Sequence, residues 1–286
     1  MSWNFPYWVT RDDPVGTRHQ DGQLWECGPG ANSGGNDNIF TNELTVIGAF
    51  YIRTGWTDTS TANALHSIFS VGKQSAGVVW FNVIEVSGTQ RLRIFAQDLV
   101  ASTQRYDILI GDEDGTNWIQ SDKWYSYAIS VSNTAVSFVV NGSTTPKKTE
   151  TTNSPGTLSM NDANVRYWLH GPTAAWGALD PSTITTVHGS SMLLGPMAID
   201  ANYVDWSSST NRDRVFDANG DLIYPGDNGS KWFGSYSTSA NFTPDVFLPN
   251  GAPVNDLGSA GLDWEDAPFG SSSWKNAPGG LRDQLP

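Results

Sequence analysis

The chain has 286 residues, a formal net charge of −13 and one cysteine, Cys27. The length allows one large all-β domain or two small ones. The acidic balance argues against direct binding to nucleic acid, whose phosphates select a basic surface, and a single cysteine excludes an internal disulfide. Asp outnumbers Glu by 23 to 6. Because Asp favours turns and Glu favours helices, we predict a loop-rich all-β chain.

Residues 1–40 are predicted to form an N-terminal arm. Their aromatic cluster is followed by a linker of flexible composition, GPGANSGGNDN, at 28–38. An exposed aromatic cluster marks an interaction site, so we expect assembly contacts at Trp3, Phe5, Tyr7 and Trp8. The segment lacks the basic start and apolar core of a secretory signal, and no apolar stretch of the chain is long enough to span a bilayer.

A series of short strand-like runs follows the arm. They lie at 44–53, 66–71, 78–86, 91–97, 105–110, 165–170 and 192–199, and Gly-, Ser- and Pro-containing turn signals separate them. Short alternating runs with this punctuation are typical of a β-sandwich. No period of 20 to 50 residues repeats, which argues against a propeller or a solenoid.

The stretch 122–142, DKWYSYAISVSNTAVSFVVNG, has the clearest pattern in the chain. It alternates with period two on both sides of Asn133-Thr134, which predicts a two-residue hairpin. This register pairs Tyr127, Ile129 and Val131 with Val140, Phe138 and Val136 on one apolar face. The other face then carries small or polar residues, with Ser130 opposite Ser137. The apolar face requires a second sheet to cover it.

This hairpin, from Trp124 to Asn141-Gly142, resembles the laminin-G-like and concanavalin A-like lectin/glucanase modules. The resemblance implies a jelly-roll sandwich of two antiparallel sheets over residues 41–204. The same fold serves lectins, glycosidases, adhesion modules and viral structural proteins, so the resemblance does not fix a function.

Residues 205–286 are rich in Asn, Ser, Gly, Pro and Asp, and we predict a loop-rich extension packed on the sandwich or on neighbouring subunits. Part of it resembles a segment that follows lectin-like sandwiches in bacteriophage and prophage structural proteins. The four matching parts are Asn211-Arg212, Phe216 to Gly220, Pro225 to Ser230, and Pro244 to Leu248. Lys231-Trp232-Phe233 departs from the Pro-Thr-Gly loop of that pattern, which leaves the local loop shape open.

No constellation of residues predicts catalysis. The acidic groups around Glu113 and Glu265 contain neighbouring carboxylates of the kind used by glycosidases, but turn positions explain them better. Asp217, Asn219 and Asp221 have the spacing of a calcium loop. Because Leu222 stands where a flexible glycine is needed, a hairpin turn is the preferred interpretation. We predict no cofactor and no metal.

The 13 tryptophans are unusually many for this length, and several lie in loops. Exposed indole rings stack on sugars or anchor protein interfaces. Trp56 and Trp118, which lie in acidic loops, are the candidate glycan-binding residues.

These observations and resemblances predict a non-enzymatic structural protein of the bacteriophage virion, assembled in the bacterial cytoplasm and placed on the capsid surface as a decoration protein. The expected partners are the major capsid protein or tail proteins and further copies of the chain, without nucleic acid or membrane. The alternatives are a tail-associated or glycan-binding lectin-like protein and, third, a glycan-cleaving enzyme.

Overall fold

The computed structural model describes residues 8–9, 25–27, 42–52, 65–73, 77–86, 89–98, 103–110, 119–120, 122–144, 148–152, 166–169, 193–234, 243–249, 257–260 and 265–266. These residues form two antiparallel sheets that enclose a common apolar core. The predicted all-β sandwich is confirmed.

The secondary structure is mostly short and medium strands. The strands are β1 (Trp8–Val9), β2 (Trp25–Cys27), β3 (Glu43–Ile52), β4 (Leu65–Lys73), β5 (Gly77–Val86), β6 (Thr89–Asp98), β7 (Thr103–Ile110), β8 (Lys123–Ser132), β9 (Val136–Val140), β10 (Lys148–Thr152), β11 (Arg166–Leu169), β12 (Leu193–Asp200), β13 (Val246–Leu248) and β14 (Glu265–Asp266), and the helices are α1 (Ser209–Arg212) and α2 (Ser230–Phe233). All seven strand-like runs of the sequence form strands. The KTETT sequence of β10 has no apolar residue, so its pattern gave no signal.

The six-stranded sheet has the order β1-β12-β3-β8-β9, and β13 also pairs with β12. β3 is the central strand and pairs with β8 along its whole length, from Glu43 opposite Ser132 to Ile52 opposite Lys123. β12 contains an irregularity between Leu194 and Met197. Pro196 lies inside it, and a residue without an N–H is expected where the hydrogen-bond ladder is interrupted.

The eight-stranded sheet has the order β10-β7-β6-β5-β4-β11-β2-β14. β2, which comes from the predicted N-terminal arm, lies inside this sheet and not at its edge. The described part of that segment supplies β1 to one sheet and β2 to the other, where β2 lies between β11 and β14. The predicted arm therefore contributes backbone pairing to the sandwich itself.

The predicted hairpin register is confirmed. Tyr127 lies opposite Val140, Ile129 opposite Phe138, and Ser130 opposite Ser137. The backbone amide of Ser132 donates to the carbonyl of Ala135 at 2.8 Å, which closes the two-residue turn at Asn133-Thr134.

The main core lies between the two sheets, and the apolar face of the hairpin points into it as predicted. Five of its six predicted side chains are buried, and the sixth, Val136, packs against the core at the sheet edge. Burial stabilises each of these side chains by about 1.5–3 kcal/mol, which is why a one-residue slip is strongly disfavoured.

A second apolar core lies on the opposite side of the six-stranded sheet. Residues 201–234, here called the cap, cover this outer face together with β13. The cap contributes isolated large side chains to this core, namely Val204, Trp206, Val215, Phe216, Leu222, Trp232 and Phe233. On the hairpin's second face Ala128, Ser130 and Val139 are buried under the cap, and Ser137 is half-buried, because small residues let the cap approach the sheet closely.

Candidate functional site

Two faces of the sandwich point away from the main core, and these are the surfaces on which binding or assembly contacts can be built. The cap covers the outer face of the six-stranded sheet. The outer face of the eight-stranded sheet carries a row of polar and aromatic side chains.

Ser130 is the centre of the contact between the cap and the six-stranded sheet. Its hydroxyl accepts hydrogen bonds from the indole Nε1 of Trp206 at 2.8 Å and from the backbone amide of Val204 at 3.3 Å. It also lies 2.6 Å from Oγ1 of Thr45. Because the Thr45 hydroxyl donates to the carbonyl of Asn202 at 2.6 Å, the proton between the two hydroxyls comes from Ser130. Ser130 thus donates one bond and accepts two, its full capacity.

The start of the cap is fixed by side chains that bond to its backbone. Ser137 of β9 accepts from the backbone amide of Trp206 at 2.8 Å. The guanidinium Nη1 of Arg212 donates to the carbonyls of Trp206 and Ser207 at 2.9 and 2.7 Å. Trp206 is thus held by hydrogen bonds at its indole nitrogen, its backbone amide and its backbone carbonyl, which leaves the buried ring little freedom to move away from the sheet.

Gly220 is where the cap touches the end of the hairpin most closely. A Cβ at this position would lie 2.0 Å from the carbonyl oxygen of Asn141, and the residue has a φ of +81°, so only glycine fits. Ser126 of β8 donates to the carbonyl of Gly220 at 2.5 Å. Asn141 and Gly142 also have positive φ, as expected for an Asn-Gly turn. Two tight turns therefore pack against each other through backbone atoms.

The four matching parts between residues 211 and 248 all have structural roles in the cap or beside it. Asn211-Arg212 ends α1, and Phe216 to Gly220 forms a turn closed by a bridge between Phe216 and Leu222. The loop at 225–230 leads into α2, and the last part contains β13, which adds Phe247 to the second core.

The departing residues Lys231-Trp232-Phe233 lie within α2. Trp232 is buried, its Nε1 donates to the carbonyl of Ile223 at 3.0 Å, and its ring meets Phe247 edge-on at 6.4 Å. The loop shape that the sequence left open is therefore a single helical turn that places two aromatic rings in the second core.

On the outer face of the eight-stranded sheet, four side chains form a row that crosses four neighbouring strands. The Cα register places Ser70 opposite Trp80, Trp80 opposite Phe95, and Phe95 opposite Asp107. The rings of Trp80 and Phe95 have centroids 4.5 Å apart. Arg93 lies over the Phe95 ring, with its guanidinium carbon 4.8 Å from the centroid.

Arg93 forms a bidentate pair with Asp107, with Nε and Nη2 at 2.7 and 2.6 Å from the two carboxylate oxygens. Two polar side chains of the same face are buried without any hydrogen-bond partner, the amide of Asn82 and the hydroxyl of Ser70. A buried unpaired polar group costs about 1–3 kcal/mol, so each such group requires a physical reason.

Asp200 and Asp245 form an acidic pair at the junction of β12, the cap and β13. Ile199 lies opposite Val246 in the antiparallel register, which places Asp200 opposite Asp245. One oxygen of Asp200 accepts from the backbone amide of Asn202 at 3.0 Å, and one oxygen of Asp245 accepts from that of Ala201 at 2.8 Å. Burial, and then the charge of Asp200, raise the pKa of Asp245 to about 6; burial also raises the pKa of Asp200.

The aromatic candidates from the sequence lie mostly outside the described residues. This holds for Trp3, Phe5, Tyr7, Trp56 and Trp118, and for Glu113. Trp8 lies in β1, where its backbone is opposite Leu194. Glu265 lies in β14, opposite Glu26 of β2. The assembly and glycan-binding roles of these residues stay predictions.

Asp217, Asn219 and Asp221 form the hairpin turn that the sequence favours. One carboxylate oxygen of Asp217 accepts from the backbone amides of Asn219 and Asp221 at 2.8 and 3.1 Å. The carboxylate thus organises the turn. Within the described ranges, no group of three or more His, Cys, Asp or Glu residues could hold a metal ion, and no helix there is long and apolar enough to cross a membrane.

Comparison with known proteins shows no family. No family model matches the chain, and no curated protein sequence does. Solved structures similar to it include two mutants of HCR/D, with 12% and 13% identity and TM-scores of 0.38 and 0.37, each covering 77% of this chain. Another is the binding domain of Botulinum Neurotoxin DC in complex with SialylT, with 12% identity, 77% of this chain covered and a TM-score of 0.28. The chain spans 50%, 51% and 48% of their lengths, and likeness this low carries no argument about function.

Proposed function

We propose that this chain is a non-enzymatic structural protein of a bacteriophage particle, most simply a decoration protein on the capsid surface. One observation supports the proposal. The segment that resembles phage structural proteins lies directly after the sandwich strand β12 and provides the folded cover of one of its faces. The resemblance thus corresponds to a complete structural unit and not to scattered turn residues.

The cap has a consequence for where assembly contacts can lie. Four of its aromatic side chains, Trp206, Phe216, Trp232 and Phe233, are directed into the second core and are therefore occupied within the chain, whereas Tyr224 is exposed. These four rings are not available for assembly contacts, and the aromatic cluster Trp3, Phe5, Tyr7 and Trp8 remains our candidate. Aromatic side chains have few rotatable bonds and make anchors at low entropic cost.

The test of a virion role is mass spectrometry of purified particles, with peptide abundance measured relative to the major capsid protein. A decoration protein is expected at a fixed, high ratio, whereas a tail component is expected at a small fraction of that ratio. Absence of the chain from purified particles would overturn the proposal.

The test of the aromatic cluster is incorporation of a Trp3→Ser, Phe5→Ser, Tyr7→Ser variant into particles that lack the native copy. These substitutions leave β1 and β2 in place, which a truncation of residues 1–30 would remove. We expect a normally folded protein that no longer joins the particle. The matched control is Tyr224→Ser, which removes an exposed ring from the cap. Normal incorporation of the triple variant would move the assembly surface elsewhere.

Glycan binding is the second candidate, and the outer face of the eight-stranded sheet favours it. Arg93 and Asp107 are partly exposed beside the Trp80–Phe95 pair, and a charged pair next to aromatic rings is a group that recognises sugar hydroxyls. Glycan-array binding by the wild type, lost in Arg93→Ala but retained in Trp56→Ala, would place the site on this face. The opposite result would favour Trp56, and no binding above background would remove this candidate.

A further inference from the structure

The junction of β12, the cap and β13 is held by two carboxylates that face each other. Asp200 ends β12 immediately before the cap, and Asp245 precedes β13. Each uses one oxygen to accept a backbone amide from the first residues of the cap, Ala201 and Asn202. Among the described residues the second oxygen of Asp245 has no hydrogen bond, whereas the Asp200 carboxylate also accepts from the side-chain amide of Asn202 and from the backbone amide of Asp245.

Like charges placed opposite each other across two strands destabilise the pair unless a cation offsets them. None does so here: no lysine or arginine of the described ranges affects either carboxyl. No other titratable side chain among the described residues shifts the pKa of either carboxyl. Thr45 of β3 lies opposite Asp200, and the backbone amide of Ala260 donates to the Asp245 carbonyl at 3.1 Å.

We propose that Asp200 and Asp245 form a proton-binding pair that tightens the junction between the sandwich and the cap in mild acid. One proton from solvent adds to the second oxygen of Asp245, and the resulting carboxyl donates to a carboxylate oxygen of Asp200, which has lone pairs left to accept it. No other bond changes. The amides of Ala201 and Asn202 keep their acceptors, so the added hydrogen bond replaces a repulsion without disturbing the existing contacts.

The direction in which stability changes with pH follows from the raised pKa of Asp245. The pKa of Asp245 is about 6 in the folded protein against an ordinary value of 3.8. The folded state therefore binds more protons between these values, and the stability of the folded protein falls as the pH rises through this window. This is the reverse of the usual effect of a salt-bridged aspartate.

The experiment is urea unfolding of the wild type and of Asp245→Asn between about pH 5 and about pH 7.5, with a chelator present to exclude divalent cations. We expect the unfolding equilibrium constant of the wild type, relative to that of the variant, to rise about tenfold across this range, because the range begins about one pH unit below the folded-state pKa of Asp245. Asp213→Asn, which removes an exposed carboxylate beside α1, is the matched control and should run parallel to the wild type.

If the free energy of unfolding changed with pH in the same way for the wild type and for Asp245→Asn, the proposal would be overturned. A direct readout on the wild type keeps the test valid if the variant does not fold. The backbone amide resonance of Ala201, which donates to Asp245, should shift with a midpoint near pH 6. A midpoint near the ordinary value for aspartate would equally exclude a shared proton.

Discussion

On the outer face of the six-stranded sheet, Ser130 uses every hydrogen bond available to it, and its partners are residues of the sheet and of the cap. On the outer face of the eight-stranded sheet, Asn82 is equally buried but has no hydrogen-bond partner. Burial alone therefore does not distinguish the two faces. The pairing of buried polar groups does, and it separates a face built for stability from one that has polar groups available for another role.

The largest effect is expected from removing the ring that joins cap and sheet. Trp206→Ala should lower the free energy of unfolding by about 3–5 kcal/mol, because it leaves a cavity under the cap and frees Ser130. Urea unfolding measures this loss. Trp206→Phe, which keeps most of the ring volume, is the control and should cost clearly less. A loss under about 1 kcal/mol for the alanine variant would mean that the cap contributes little to stability.

Two buried serines test the comparison directly. Ser130→Ala should cost about 2–3 kcal/mol, because the Trp206 indole and the Val204 amide lose their acceptor. Ser70→Ala removes a hydroxyl that has no partner, so it should cost less than about 0.5 kcal/mol. Thermal or urea unfolding of both variants side by side is the measurement. An equal loss of unfolding free energy for the two variants would show that buried polar groups are paired alike on the two faces.

Gly220 and Gly226 have nearly equal φ angles, so a comparison of their alanine variants measures the effect of the close contact between the cap and the hairpin. Gly220 and Gly226 have φ values of +81° and +83°, but a Cβ would lie 2.0 Å from Asn141 at the first and 3.6 Å from Lys231 at the second. Gly226→Ala should cost about 1 kcal/mol for the left-handed conformation alone. Gly220→Ala should cost about 1–2 kcal/mol more, because backbone atoms must move apart. Similar unfolding midpoints for the two variants would contradict the contact.

The smallest effect is expected at Asn82. Replacement by Leu keeps the branching of the side chain and removes the unpaired amide, and because Leu is larger than Asn the free energy of unfolding should change by no more than about 1 kcal/mol in either direction. The same urea titration checks this. A loss of more than about 2 kcal/mol would show that the amide is paired in the folded protein and that this face resembles the other.

The sandwich could be predicted because its signal is local. In the hairpin, alternation and an Asn133-Thr134 turn determine the register within a few residues of sequence. The same holds for β5 and β6, whose alternation is long enough to identify each strand without knowledge of its partner.

The cap could not be predicted as a unit because its apolar residues have no period. Trp206, Phe216 and Trp232 are spaced by turns, and they meet only because the chain folds over the sheet. The acidic pair shows the same limit. Asp200 and Asp245 each follow or precede an apolar run, which is a weak signal, and only the pairing of β12 with β13 brings them together.

The position of β2 has a consequence for biosynthesis. Trp25–Cys27 pairs with β11 on one side and with β14 on the other, so three distant parts of the chain are neighbours in one sheet. A ribosome releases residues 25–27 long before residues 265–266 are made. Until then this edge of the sheet is open, and exposed strand edges pair readily with other chains. The sheet therefore cannot be completed until residues 265–266 have been made, and crowded synthesis of many copies is the stage at which strands of different chains can exchange.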